Sequence, residues 1–339
     1  MSNSESAWIV SRILAPDGAY AVSFLVAEGA ETLLGFDALE WWNSLAADDT
    51  AAPRALFGAR DSESGEWLGV VACQTHPGRV AYVWQPVVKE SVAAANSRLA
   101  GEIAFDLLDA LGEWLGEKGT QVAQCVLEQS AAHGDVVTAS GRDELFLRAG
   151  YRHEVRLEFL ELDLAERNGA GEVASPAPPV FQPSVEWLPF DESRRELFAS
   201  TAERTLIASA DCRFLSGLRT GADLLAAHAG TEGVDAELWF VAVIDGSPVG
   251  VLLLRSDGAQ NLSGSLSSGG EISYLGVVPE RRGAGWGRRL VEQAATMARL
   301  RGWAVLGAAL DSTNHYAKTV YESSGFVVRG AMRGRVRVF

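Results

Sequence analysis

One order of elements, hairpin, strand, helix, strand, helix, strand, occurs twice in this 339-residue chain, and no other feature constrains its fold as much. In the second half, residues 238–242, the Asp245-Gly246 turn and residues 249–254 read as strand, tight turn, strand. The first half offers residues 54–59, a polar turn at 62–65, and residues 67–72. Strands 79–84 and 271–278 come next, each followed by an amphipathic helix. Leu99, Ile103, Leu107 and Leu111 line one helix at intervals of four; Trp286, Leu290 and Ala294 line the other, and Met297 continues the face. Gly119 and Gly302 are placed to end these helices. A further strand (120–127; 304–310), a short helix running into Gly150-Tyr151 or Gly325-Phe326, and a closing strand complete each copy. The pattern predicts an α/β fold with a mixed sheet, built twice.

Between the copies lies AERNGAGEVASPAPPVFQP, residues 165–183, with Pro176, Pro178, Pro179 and Pro183. Such a stretch favours an extended, semi-rigid spacer. The expected organisation is therefore a first domain over 1–165, a linker over 166–183 and a second domain over 184–339, in keeping with the length. Lys and Arg number 29 against 44 Asp and Glu, a net charge of −15, which argues against nucleic acid as a partner and suits a cationic substrate. Cys73, Cys125 and Cys212 stand far apart and the five histidines form no ligand-spaced cluster, so neither a disulfide framework nor a metal is expected. The polar start lacks a basic region followed by an apolar stretch, and no run of about 18 apolar residues occurs. The expectation is a cytoplasmic protein with no membrane partner; the sequence carries no sign of oligomeric state.

Chemistry concentrates in Glu271-Ile-Ser-Tyr-Leu-Gly-Val-Val-Pro-Glu-Arg-Arg-Gly-Ala-Gly-Trp-Gly-Arg-Arg-Leu290. A nearly continuous apolar strand ends at Pro279, a turn holds Gly283, Gly285 and Gly287, and a helix begins. Glycines there permit positive φ and close approach of a ligand. The converging N–H groups at the helix start suit a phosphate or pyrophosphate. Arg281, Arg282, Arg288 and Arg289 reverse the sign of an otherwise acidic chain. A nucleotide P-loop is excluded, because no Lys-Ser or Lys-Thr follows the glycines. The dinucleotide fingerprint fails too, its sixth position being Arg288 or Leu290.

The remaining pattern, Arg282-x-x-Gly285-x-Gly287, resembles the pyrophosphate loop of the GNAT acetyltransferase superfamily. About 30 residues on, Asn314-His-Tyr-Ala317-Lys-Thr-Val-Tyr321-Glu-Ser-Ser-Gly325-Phe326 resembles the same family's N-x-x-A-x-x-x-Y-x-x-x-G-F helix. The resemblance is clearest over residues 184–339, and the two-copy layout is similar to tandem members. It implies an α/β (α+β) fold of two tandem GNAT-like domains, each a twisted, mixed, mostly antiparallel sheet flanked by helices. It also implies an acyl-CoA-dependent N-acyltransferase, with acetyl-CoA as cosubstrate and a small-molecule or peptide amine as acceptor, attacked directly in a ternary complex.

Roles follow residue by residue from that resemblance. Backbone N–H groups of Gly283, Ala284, Gly285, Trp286, Gly287 and Arg288, beside Arg282, would hold the pyrophosphate. Leu275 and Val277 would meet the thioester and pantetheine amides through their backbone. Tyr321 is placed as general acid toward the leaving thiolate, or else as a buried aromatic bonded to a carbonyl. Asn314 would lie near the coenzyme or cap its helix. Glu271, eleven residues before Arg282, is the candidate general base, balanced against an edge glutamate. Asp211, Arg213, Arg219 and His228 are polar candidates for acceptor recognition, each read more readily as an ordinary surface or capping residue.

The first copy lacks these features together. Phe146 stands opposite Tyr321, Arg79 opposite Glu271, and Gln-Pro-Val-Val-Lys-Glu-Ser-Val-Ala-Ala-Ala-Asn-Ser after the strand contains no glycine. It reads as a degenerate copy. Two alternatives to catalysis stand beside the main reading: a non-catalytic acyl-CoA-binding or regulatory protein, and a structural protein whose copies are both remnants.

Overall fold

A computed structural model describes residues 7–14, 21, 24, 54–130, 140–164, 185–229, 235–256 and 269–339. The expected linker lies outside the described residues. The chain forms two compact units: unit 1 comprises Met1–Glu128, Val137–Glu154 and Gly334–Phe339, and unit 2 comprises Gln129–Val136 and Val155–Arg333. Each unit thus takes a strand segment from the other half of the chain, which the chain-order reading of the sequence does not include.

In unit 1, β1 (Trp8–Ile13), β2 (Arg54–Asp61), β3 (Trp67–His76), β4 (Val80–Val83) and β6 (Val122–Ser130) follow one another across the sheet, and β5 (Val87–Val88) pairs with β3. All these pairings are antiparallel except β4 with β6, where Val80 faces Val122 and Ala81 faces Ala123 in parallel. Helices α1 (Glu90–Ala95), α2 (Ser97–Glu117) and α3 (Ser140–Arg148) follow in chain order. The apolar stripe of α2 (Ile103, Leu107, Leu108, Leu111, Leu115) is fully buried against Phe57, Val71 and Ala123. The segment Gly334–Phe339 is fixed here by specific contacts. Phe339 N–H donates to the Gln121 carbonyl at 3.0 Å, and Arg335 forks onto Asp143 at 2.6 and 2.9 Å. A Cβ on Gly334 would fall 2.5 Å from the Cys125 carbonyl oxygen, so only glycine fits that crossing.

Unit 2 holds β7 (His153–Asp163) from Val155 on, β8 (Glu186–Pro189), β9 (Trp239–Ile244), β10 (Ser247–Ser256), β11 (Gly269–Val277), β12 (Val305–Asp311) and β13 (Val327–Val338) up to Arg333. Their order is β13-β7-β12-β11-β10-β9-β8. Asp245 and Gly246 take φ of 47° and 73°, as a two-residue hairpin turn requires. One sheet face packs on α4 (Arg195–Leu206) and α5 (Gly221–Ala229), through Phe198, Leu224, Val241, Val251 and Leu253. The other packs on α6 (Trp286–Leu300) and α7 (His315–Ser323), through Leu252, Ile272, Leu290, Ala294, Leu306 and Tyr321.

The duplication is visible in matched local geometry. Gly119 and Gly302 have φ of 75° and 71°, and each is followed by a donor bonded back into its helix: Thr120 N–H to Leu115, and Trp303 N–H to Ala298, both 3.0 Å. Gly150 and Gly325 have φ of 87° and 92°. Their followers stack on the helical aromatic five residues back: Phe146 with Tyr151, and Tyr321 with Phe326, both at 5.1 Å between ring centres. These four glycines, legible in the sequence, all take positive φ. The strand expected at 79–84 is shorter than its pattern, because Arg79 has φ of 60° and turns the chain before Val80.

Candidate active site

The site starts where two neighbouring strands part. β11 pairs with β10 from Gly270 to Val277, but with β12 only from Gly269 to Ile272. Among the described residues the β12-side edge of Ser273–Val277 therefore has no strand partner. Val278 N–H donates to the Val249 carbonyl at 3.1 Å, on the β10 side. Alternation along an extended strand then turns the backbone groups of Val277 and Leu275 toward the open edge. Both predicted backbone positions thus sit where an extended ligand could add to the sheet.

Beyond β11 a 3-10 turn, Pro279–Arg281, leads into the glycine loop. Gly283 and Gly285 have φ of 74° and 80°, and an added Cβ at either would meet nothing within 4 Å. Backbone conformation, and not crowding within the protein, is what selects glycine there. Gly285 is the N-cap of α6 and brings no side chain to cap it. The N–H groups of the first turn are thus left for another acceptor. The Trp286 side chain is buried in the core, so this residue can contribute only its backbone.

The arginines beside the loop are more committed than a sequence reading of free charge suggests. Arg282 donates through Nε to the Val277 carbonyl (3.1 Å), through Nη1 to Ala208 (2.9 Å) and through Nη2 to Thr205 (2.9 Å). It clamps the end of β11 to the chain leaving α4. Arg288 pairs with Glu292 at 2.9 Å, Arg289 lies 4.3 Å over the Trp286 ring, and Arg204 pairs with Glu280. Lysine cannot supply the three-carbonyl geometry of Arg282. Arg282→Lys is expected to lower thermal stability by about 1–2 kcal/mol, the scale of two lost hydrogen bonds, with the drop read as a lower calorimetric melting midpoint.

On α7, Asn314 is the N-cap, accepting from Ala317 N–H at 3.1 Å. Its side chain also helps to hold the Asp211 carboxyl down. Two turns along, Tyr321 is 7% exposed, and no hydrogen bond to its hydroxyl forms among the described residues. Burial, and then the Asp211 charge, push its phenol well above the ordinary tyrosine range.

Asp211 is the residue whose position the sequence conceals. It follows α4 in an exposed loop, yet its Oδ1 accepts Asp311 N–H at 3.0 Å, one hundred residues away. Desolvation in this recess and the Asp311 charge push its carboxyl upward, against the hydrogen bonds from Asp311 and Asn314. Cys212 and Asp311 complete a cluster of ligand-type atoms within 4.8 Å of one another. Asp311 is nevertheless committed to the fold: Oδ1 accepts Thr313 N–H (2.9 Å) and Oγ1 (2.7 Å), and Oδ2 accepts Cys212 N–H (3.1 Å).

Glu271, the candidate base, has a charged partner on β10. Its Oε1 lies 2.6 Å from Arg255 Nε in a largely buried ion pair. On the same sheet face, the Tyr274 hydroxyl is 2.6 Å from Thr205 Oγ1, and the His228 ring lies 5.9 Å from the Tyr274 ring. Desolvation, followed by Arg219 and Arg255, pushes His228 down to about 4, so the imidazole is neutral near pH 7.

Comparison with known proteins agrees with this geometry. Residues 193–326 match the model of the acetyltransferase (GNAT) family. The chain is 30% identical over 263 residues to a mycothiol acetyltransferase of Beutenbergia cavernae, covering 74% of this chain and 82% of that protein. The chain belongs to the GNAT acetyltransferase family. Solved structures show the same fold at low identity. A GCN5-related N-acetyltransferase from Sphaerobacter thermophilus has a TM-score of 0.52 at 16% identity, over 98% of this chain and 96% of that one. A tandem GNAT protein from the clavulanic acid biosynthesis pathway has a TM-score of 0.51 at 16% identity, over 98% of each. The chain is thus an N-acetyltransferase of GNAT type and not a bare structural scaffold.

Within this GNAT enzyme the two helix starts differ in the way the sequence predicts. The N-cap of α2 is Asn96, whose side chain accepts Leu99 N–H at 3.1 Å and so occupies the first turn. Between β4 and α2 the chain runs through β5 and α1 in place of a glycine loop. Phe146 is fully buried and carries no hydroxyl. Among the described helices, none is long and apolar enough to cross a membrane.

Proposed function

We propose that unit 2 transfers the acetyl group of acetyl-CoA to a primary amine by direct attack in a ternary complex. The observation that carries this is the uncapped first turn of α6, with Gly283 and Gly285 at positive φ, next to the unpartnered edge of β11. These features fit a pyrophosphate and an extended pantetheine arm. Acetyl-CoA would supply an acyl thioester activated toward nucleophiles. The N–H groups from Gly283 to Arg288 would bind the pyrophosphate, assisted by the positive helix end. Arg282 would act through the loop it clamps, not as a direct anion ligand. The Leu275 N–H would polarise the thioester carbonyl, and the Tyr321 phenol would protonate the departing sulfur.

A covalent acyl-cysteine route has little support. Cys212 is the one cysteine near these groups, and burial together with the Asp211 and Asp311 charges pushes its thiol far up, away from thiolate. Initial rates with both substrates varied are expected to give intersecting double-reciprocal lines. Parallel lines, the mark of a ping-pong route, would overturn the ternary complex. The relative from Beutenbergia cavernae favours a small molecule over a protein as the acceptor class.

A further inference from the structure

Taking acetyl transfer to an amine as the reaction, we propose that Asp211 is the acceptor-side catalytic carboxylate: it binds the substrate's ammonium group and takes its proton. The acceptor class is accordingly a primary amine that arrives as a cation.

Three observations converge. First, Asp211 stands at the mouth of the gap left where β11 leaves β12: it bonds Asp311, the last residue of β12, at 3.0 Å. Its charge also acts on Tyr274 of β11 and on Tyr321 of α7, which pack on opposite faces of the sheet. Second, of the two aspartates only Asp211 retains acceptor capacity toward solvent. Asp311 is buried and accepts three hydrogen bonds, whereas Asp211 is exposed and accepts one from Asp311 N–H, out of about four lone-pair sites on a carboxylate. Third, the Tyr321 side chain is more than nine-tenths buried, its hydroxyl makes no hydrogen bond among the described residues, and it lies within the field of Asp211. A donor that the described residues leave open beside a held carboxylate marks a place for a ligand.

Glu271 is the other carboxylate on β11's side of this gap, and its Oε1 is paired with Arg255 at 2.6 Å. The groups around Asp211 are Asp311 at the end of β12, Cys212 beside it, Asn314 and Tyr321 on α7, Tyr274 on β11, and Arg219, whose charge reaches Cys212 and Tyr274. In the step itself an N–H bond of the ammonium breaks and an O–H bond forms on Asp211. The freed nitrogen lone pair forms the C–N bond to the acyl carbon, the C–S bond breaks with its electron pair going to sulfur, Tyr321 protonates that sulfur, and the second nitrogen proton passes to the Tyr321 phenolate, leaving neutral amide, thiol and protonated Asp211. Charge and protons balance without a further reactant.

The test uses the full chain, acetyl-CoA, and glucosamine, spermidine and Ala-Ala as probe amines, with release of the CoA thiol followed across pH. Asp211→Asn still accepts from Asp311 N–H but carries no charge. It is expected to bind acetyl-CoA within twofold of the parent by calorimetry, while kcat/KM for the best amine falls by about 10²-fold or more. The parent's bell-shaped kcat/KM profile should also lose its acid limb, leaving a curve that rises only with free amine. A variant within threefold of the parent, with its acid limb intact, overturns the role of Asp211 and leaves acetyl transfer standing. Acetyl-CoA binding by the parent without turnover of any amine overturns the reaction, and this proposal with it. If the variant does not fold, the parent profile decides: a curve that only rises to the amine's own pKa overturns the proposal, and a bell supports it.

Discussion

Acetyl-CoA titrated into the full chain is expected to bind with one equivalent, and Gly285→Glu to weaken that binding by at least about 10²-fold, roughly 3 kcal/mol. Gly285 has φ of 80°, where a residue bearing a Cβ loses about 1–2 kcal/mol. The turn would relieve this by leaving the left-handed region, which disperses the N–H groups now converging at the start of α6. No atom lies within 4 Å of the added Cβ, so the substitution fits sterically and the rest of unit 2 should fold. A carboxylate at that N-cap would then accept the first-turn N–H groups itself and repel a pyrophosphate, worth about another 0.3–2 kcal/mol. Gly285→Ala separates the two effects, since it carries the strain alone and should cost about tenfold. Stoichiometry bears on unit 1: Asn96 already caps α2, and no glycine cradle precedes it. A second equivalent that survives Gly285→Glu would overturn the reading of unit 1 as degenerate.

Local rules made the repeated fold legible. Amphipathic α2 and α6, the hairpin turn at Asp245-Gly246, and the positive-φ glycines that end α2 and α6 announce themselves within a few residues. What escaped the sequence depends on pairing between distant segments. Gly334–Phe339 looks like the tail of the last strand, and only Asp143, Cys125 and Gln121 reveal that it belongs to unit 1. Arg282 appears as free positive charge because carbonyls make no signal in a sequence. The ion-pair partner of Glu271 was hidden for a subtler reason. A register shift between Leu253 and Leu254 lets Tyr274 and Glu271, three residues apart, share a sheet face, and it sets Glu271 opposite Arg255. Asp211 was legible only as one polar residue in a helical segment; its meaning comes from Asp311 and Asn314, about one hundred positions away.

Tyr321→Phe should leave the protein folded and acetyl-CoA bound, yet lower kcat by about 10²–10⁴-fold. The substitution deletes a hydroxyl that makes no hydrogen bond among the described residues and keeps the ring stacked 5.1 Å from Phe326. Removing it therefore leaves no orphaned partner, and stability should change by less than about 0.5 kcal/mol. A tyrosine kept only for packing would show the same stability and an unchanged kcat, so the two measurements together separate the roles. The dependence on pH has a definite sign. A general acid works while protonated, and burial with the Asp211 charge raises this phenol's pKa. Loss of the proton thus moves to higher pH, and the parent should show no alkaline fall assignable to Tyr321 below about pH 10. The leaving group supplies the deciding comparison. A thioester whose thiol is more acidic than that of CoA needs less protonation as it departs, so the Tyr321→Phe penalty should shrink with such a donor. A penalty that is the same for both donors would mean that the hydroxyl does not reach the sulfur, and the role of general acid would be lost.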